Sequence, residues 1–171
     1  MKTIEMKLYY FDELSDKAKE TAINDYRDIN VDYDWWECSY NTWEEMGVKI
    51  NHFDIYRQDI GLEFYETEEE VAKYIVIDFG HNEFYDFAKE YLEAKKKIDK
   101  TYKDSFDEFG ECEDYDFELE ELNDLFQYDL KHAILFWLKE ELEYLQSDEA
   151  IADTLEANEF EFTEYGKRFH L

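Results

Sequence analysis

Residues 11–28 read Phe-Asp-Glu-Leu-Ser-Asp-Lys-Ala-Lys-Glu-Thr-Ala-Ile-Asn-Asp-Tyr-Arg-Asp, and residues 32–37 read Asp-Tyr-Asp-Trp-Trp-Glu. Ser15 is placed to cap a helix, with Asp16 in the first turn where the dipole favours an acid and Leu14 as the staple residue before it. Ala18, Ala22, Tyr26 and Ile29 recur at helical spacing and predict a helix over 16–29. A second helix is expected over 33–46, with Trp36, Tyr40 and Trp43 on one side and Gly47 as its C′ residue. Adjacent tryptophans on a helix point about 100° apart, so burying both Trp35 and Trp36 requires packing on more than one side. The segment therefore reads as a structural hub coated with carboxylates.

Working outward, Ile4 to Phe11 is rich in β-formers and predicts a strand. Val48 to Phe53 and Leu62 to Tyr65 predict two more, joined by a polar turn around Gln58 to Gly61. Thr67 caps a helix that opens with Glu68, Glu69 and Glu70, runs to Phe79 and stops at Gly80. Asn82 opens the next, whose apolar face is Phe84, Phe87, Tyr91 and Leu92. It ends in Lys95, Lys96, Lys97, Lys100 and Lys103, read as complementing a helix C-terminus and the acids that follow. A long helix is expected from Leu122 to about Tyr144, most buried at Ala133 to Leu138. Ser147 caps a short helix through Ala157, Glu159 to Thr163 alternates as a strand, and Tyr165-Gly166 turns the chain. With no linker or repeat, residues 1–171 are expected to form a single α+β domain: a small antiparallel sheet of about four to five short strands packed against about six helices.

Net charge limits the functions available. Forty-seven acids against 18 bases leave −29, while 44% apolar and 19% aromatic residues argue against a disordered acidic tail. Direct binding to nucleic acid or to an anionic membrane is disfavoured, and a basic partner is favoured. No run approaches the length of a membrane span, so a soluble cytoplasmic protein is expected. Cys38 and Cys112 have no paired-motif spacing and read as free thiols.

Chemistry is sparse. No serine sits in a nucleophile-elbow glycine pattern and there is no glycine-rich phosphate loop, so the chain is not expected to be an enzyme. Cys38, His52, His81, Cys112, His132 and His170 lack zinc-motif spacing. No cofactor is expected, and a zinc or other divalent ion is the lesser alternative. Asp28-Ile-Asn-Val-Asp-Tyr-Asp34 imitates a calcium loop but places Tyr33 where glycine is needed and Ser39 where a bidentate glutamate is needed.

The remaining signal is the anionic surface. Twenty-nine net charges equal those on roughly 50 Å of duplex, while a chain this long folds to about 40 Å across. A face as charged as DNA is therefore attainable. The densest candidate is Glu111, Glu113, Asp114, Asp116, Glu118, Glu120 and Glu121, with help from Asp32, Asp34 and Glu37. The aromatics interleaved there, Tyr115 and Phe117, are both candidate anchors, with core packing the preferred use for Phe117.

Residues 11–20, 25–28 and above all the hexapeptide 32–37 resemble a family of small proteins of bacterial viruses and mobile elements, loosely labelled antitoxins of a toxin–antitoxin stability system. The likeness covers about the first 40 residues. A Gly-Asp-Gly-rich segment that many relatives carry after the second helix is missing. The resemblance implies an accessory viral or mobile-element protein. With the charge, it leads to the expectation of a non-enzymatic, DNA-mimicking inhibitor of a host nucleic-acid-binding defence protein, first a Cas9-type effector and second a restriction enzyme. An antitoxin that binds a basic toxin, and a metal-stabilised acidic structural protein, are the alternatives.

Overall fold

The computed structural model describes residues 6–79, 83–107 and 110–169. The fold is α+β, with six α-helices and one two-stranded antiparallel sheet among the described residues. Expectations resting on Ile4, Glu5, Gly80, His81, Asn82 and His170 lie outside the described residues. The chain divides into two compact units, residues 1–35 with 140–171 and residues 36–139.

In the first unit, α1 (Asp16–Asp25) starts as expected. The Ser15 hydroxyl accepts from the Ala18 N–H and Leu14 is buried. The helix stops nine residues after its start, because the chain from Tyr26 to Val31 coils into successive turns. Asn30 explains the stop. It is buried, its Nδ2 donates to the Leu145 carbonyl (3.0 Å), and its Oδ1 accepts from the Thr154 hydroxyl (2.7 Å). The residue that imitated a calcium ligand thus satisfies a backbone carbonyl, as a buried amide must.

Helix α6 (Asp148–Ala157), capped by Ser147 on the Ala150 N–H, packs Ile151 and Leu155 with Phe11, Leu14, Ala18 and Ala22. Phe162 fills the same core, edge-on to Phe11. The two expected outer strands reduce here to isolated bridges. Tyr9 and Phe162 exchange backbone bonds of 2.9 and 2.8 Å, and Phe162 also bridges Arg168. Neither side extends into a strand, since Phe11–Glu13 winds at once into a 3-10 helix and Gly166 (φ +78°) turns the other side back. The described residues therefore hold two strands rather than the expected four to five.

In the second unit, α2 (Glu37–Glu45) begins four residues later than expected and ends on Gly47, whose φ of +83° places it in the left-handed region that glycine tolerates. Trp36 precedes the helix and meets Phe53 edge-on at 5.7 Å, so the tryptophan pair introduces α2 and does not sit within it. Strands β1 (Val48–Asp54) and β2 (Asp59–Phe64) pair antiparallel with an irregularity at Asn51. The turn between them falls earlier than expected, because the Asp54 carboxylate accepts from the Tyr56 and Arg57 N–H groups and Gln58 takes φ +54°.

Helix α3 (Glu68–Asp78) carries the full Thr67/Glu70 capping box. Beyond it lie α4 (Glu83–Thr101) and α5 (Glu113–Leu145), whose residues from Glu140 on belong to the first unit. The core of the second unit is aromatic. Trp43, fully buried, stacks on Phe79 at 5.4 Å and touches Phe84 and Trp137 at 5.2 and 6.1 Å between centroids. Its indole N–H finds no hydrogen-bond acceptor among the described residues and is surrounded by rings.

Candidate partner-binding surface

Helix α5 begins nine residues before the expected Leu122. Its first turn holds Glu113, Asp114 and Asp116, which the helix dipole stabilises. Tyr115, Leu119, Leu122, Phe126 and Leu130 continue one inward stripe across the whole span. The acidic window is thereby a straight ridge. Glu113, Asp114, Asp116, Glu118, Glu120, Glu121, Asp124 and Asp129 occupy it with no lysine or arginine between the first and the last. All are exposed except Asp129, which is half-buried.

At 1.5 Å per residue these carboxylates span about 24 Å of helix axis, roughly one per 3 Å, close to the about 3.4 Å of axis per phosphate on one DNA strand. The exposed ones cover about 200° of the helix circumference, its solvent side.

The other expected residues are exposed too, but only some belong to this ridge. Glu111 precedes it in a tight turn, its N–H bonded to the Asp107 carboxylate at 2.9 Å. Glu37 opens α2 in the same unit, whereas Asp32 and Asp34 lie in the turns of the first unit. Asp124 and Asp129 extend the ridge past Glu121, and carrying the phase of α5 through the acidic window would have found them. A second base-free stretch, Glu140 to Glu164, lies mainly in α5's end and α6, and there Asp148 is already paired with Arg27 at 2.5 Å.

Of the two candidate anchors, Phe117 and not Tyr115 faces solvent. Tyr115 is half-buried, packs its ring on Tyr102 and Phe106, and donates its hydroxyl to Asp99 at 3.0 Å. Phe117, expected in the core, is 61% exposed at the centre of the ridge. Phe136, in the turn expected to be most buried, is also exposed, although Ile134, Leu135 and Leu138 beside it are buried.

The seam between α4 and α5 holds the ridge in place. Phe126 packs on Phe87 at 5.7 Å and on Tyr91 at 4.7 Å. The Tyr91 hydroxyl donates to Asn123 at 2.8 Å, and burial, with the field of Glu68, pushes its pKa to about 12. Tyr102 donates to Glu118 at 2.8 Å, and that bond raises its pKa to about 12 as well.

The basic run divides here. Lys95, its side chain only 17% exposed, bridges Glu69 of α3 at 3.1 Å and Asp99 at 3.0 Å. Burial opposes its charge most strongly, yet the bonds to Asp99 and Glu69 together hold its pKa well above the ordinary lysine value. Lys96, Lys97, Lys100 and Lys103 stay exposed.

Of the candidate metal ligands, Cys38, Cys112, His52 and His132 are among the described residues, and these do not converge. Both cysteines are free, His52 faces Asp59 at 3.2 Å, and His132 lies edge-on to Tyr128. Among the described residues no group of three or more His, Cys, Asp or Glu side chains is placed to hold a metal ion. Nor, among those residues, is any helix long and apolar enough to cross a membrane. No protein-family model, no curated protein and no solved structure matches the chain.

Proposed function

We propose that the protein is a non-enzymatic inhibitor that occupies the phosphate-binding surface of a basic host defence protein, a Cas9-type effector in the first instance and a restriction enzyme in the second. The observation that carries this reading is the α5 ridge, a helical surface whose carboxylates recur per length of axis about as often as the phosphates of one DNA strand, with no lysine or arginine among them. A row of fixed charges on a helix supports mimicry better than the same charges on a coil, because lysine and arginine side chains arranged for a duplex meet them without ordering a flexible segment. An accessory role for a virus or mobile element in the host cytoplasm belongs to the same proposal.

The test is recovery of the tagged protein from a host carrying CRISPR and restriction systems, followed by titration of the purified complex against salt and against duplex DNA. The expected partner binds nucleic acid, releases the inhibitor as salt rises, and holds inhibitor or DNA but not both. Reversing Glu113, Asp114, Asp116 and Glu118 to lysine should weaken the complex at least about 30-fold while the helix content is retained, taking each lost charge pair as worth about 0.5 kcal/mol or more. A partner with no nucleic-acid-binding surface, affinity indifferent to salt, or affinity that survives the fourfold reversal overturns the proposal.

A further inference from the structure

Beside the ridge, α4 and α5 leave a groove of about 180 Å³. Phe87, Tyr91, Leu122, Leu125 and Phe126 make it apolar, and Glu90 and Asp129 stand among its lining carboxylates. A cavity of this size holds about one benzene-sized group and is too small for a nucleotide or a typical cofactor.

The outer surface of α5 continues the apolar character past the groove. Phe117, Leu125, Tyr128 and Phe136 are 61, 57, 59 and 48% exposed. On a helix their spacing places them within an arc of about 100°, in a stripe about 28 Å long. Single exposed apolar residues are ordinary; four aligned along one helix, one of them lining an apolar groove, form a surface.

From these features, and resting on the acidic-ridge reading above, we infer that the α4–α5 groove is the anchor pocket for an amphipathic, lysine- and arginine-bearing helix of the partner, one of whose apolar side chains enters it. Three features of the surface select this occupant. Glu113, Glu118, Glu121 and Asp124 accompany the stripe from Phe117 to Tyr128, ahead of Lys131, so a segment bound there must have basic flanks. A second copy of this chain would bring another net charge of −29 to the same place, which repulsion disfavours. An extended peptide would find no sheet edge there, since helix backbones are already hydrogen-bonded, whereas a helix presents apolar residues at i, i+4 and i+7 to match a stripe of this shape.

The probe is a fluorescein-labelled synthetic helical peptide of about 18 residues with leucines at helical spacing on a lysine- and arginine-rich background, compared with a scrambled peptide of the same composition. Anisotropy is measured at about 50 and about 300 mM NaCl with the full chain and with the exposed-site variant Leu125→Gln/Tyr128→Gln, whose fold is checked by circular dichroism.

The amphipathic peptide is expected to bind about tenfold more tightly than the scrambled one at the higher salt, and the double variant to erase that preference. Equal, steeply salt-dependent binding of both peptides overturns the groove inference and leaves the acidic ridge standing. Failure of both to bind at the lower salt overturns the ridge reading as well. A dimer in sedimentation that dissociates in the double variant assigns the groove to a second copy and likewise overturns the inference.

Discussion

Replacing Lys95 by methionine is the sharpest test of how the acidic fold holds itself together. The substitution keeps the length of the stem and removes the one cation that lies within 3.1 Å of both Glu69 and Asp99. Glu69 keeps Lys73 at 2.6 Å and Asp99 keeps the Tyr115 hydroxyl, so neither carboxylate is left wholly uncompensated. Exposed ion pairs are worth about 0–1 kcal/mol, and breaking a fully buried one costs about 3–5 kcal/mol. With two partners and a side chain 17% exposed, Lys95→Met should cost about 2 kcal/mol.

Urea unfolding followed by tryptophan fluorescence, to which Trp36, Trp43 and Trp137 of the same unit contribute, should show the midpoint falling by about 1 M for a slope near 2 kcal/mol/M. Lys97→Met, on an exposed position of the same helix, should move it by no more than about 0.25 M. The effect also has a pH signature. The Glu69 carboxyl lies below its ordinary range because it accepts from Lys73 and Lys95, so its contribution is present at neutral pH and is lost as pH falls through that lowered value. Lys95 lies above its ordinary range, so its contribution is full below the usual lysine value and is lost only as pH rises past its raised one. The gap between wild type and variant should be flat from about pH 6 to 9 and should narrow in acid below the ordinary glutamate range. A variant whose midpoint matches that of Lys97→Met, or a gap that does not narrow in acid, would refute this account.

Asn30→Ala leaves the Leu145 carbonyl and the Thr154 hydroxyl without their amide partner and should destabilise the chain by about 1–3 kcal/mol in denaturant titration, with Asn30→Asp no better because it cannot donate to the carbonyl. Gly166→Ala should cost at least about 2 kcal/mol, since φ is +78° and the added methyl would collide with the Ala18 carbonyl oxygen; a normal melting temperature would contradict the packing of that turn on α1. Sodium chloride raised from about 10 to about 200 mM should increase the melting temperature, because screening relieves the self-repulsion of 29 net negative charges, and a fall would mean that the ion pairs outweigh the repulsion.

Features decided within a few residues were legible in the chain itself. Ser15, Thr67 and Ser147 each cap a helix through a bond to the N–H three residues on, and Gly47 ends α2, because these interactions need only local geometry. That the acids face water was equally legible, since a carboxylate is not buried unpaired. The Asp54 turn was legible too, since an aspartate that accepts from the N–H groups two and three residues on needs only local geometry.

What tertiary structure alone decided depends on partners far along the chain. Whether Tyr9 and Phe162 make strands or one bridge rests on residues 153 positions apart and on turns that leave no room for a ladder. The role of Asn30 rests on Leu145 and Thr154, more than 100 residues away. The side of α5 taken by Phe117 follows from the helical phase that Tyr115, Leu119 and Leu122 impose once they pack inward. The groove exists only because α4 and α5 meet along Phe87, Tyr91 and Phe126. Composition determined that the surface would be anionic; packing determined that its densest part is a straight ridge with an apolar seam beside it.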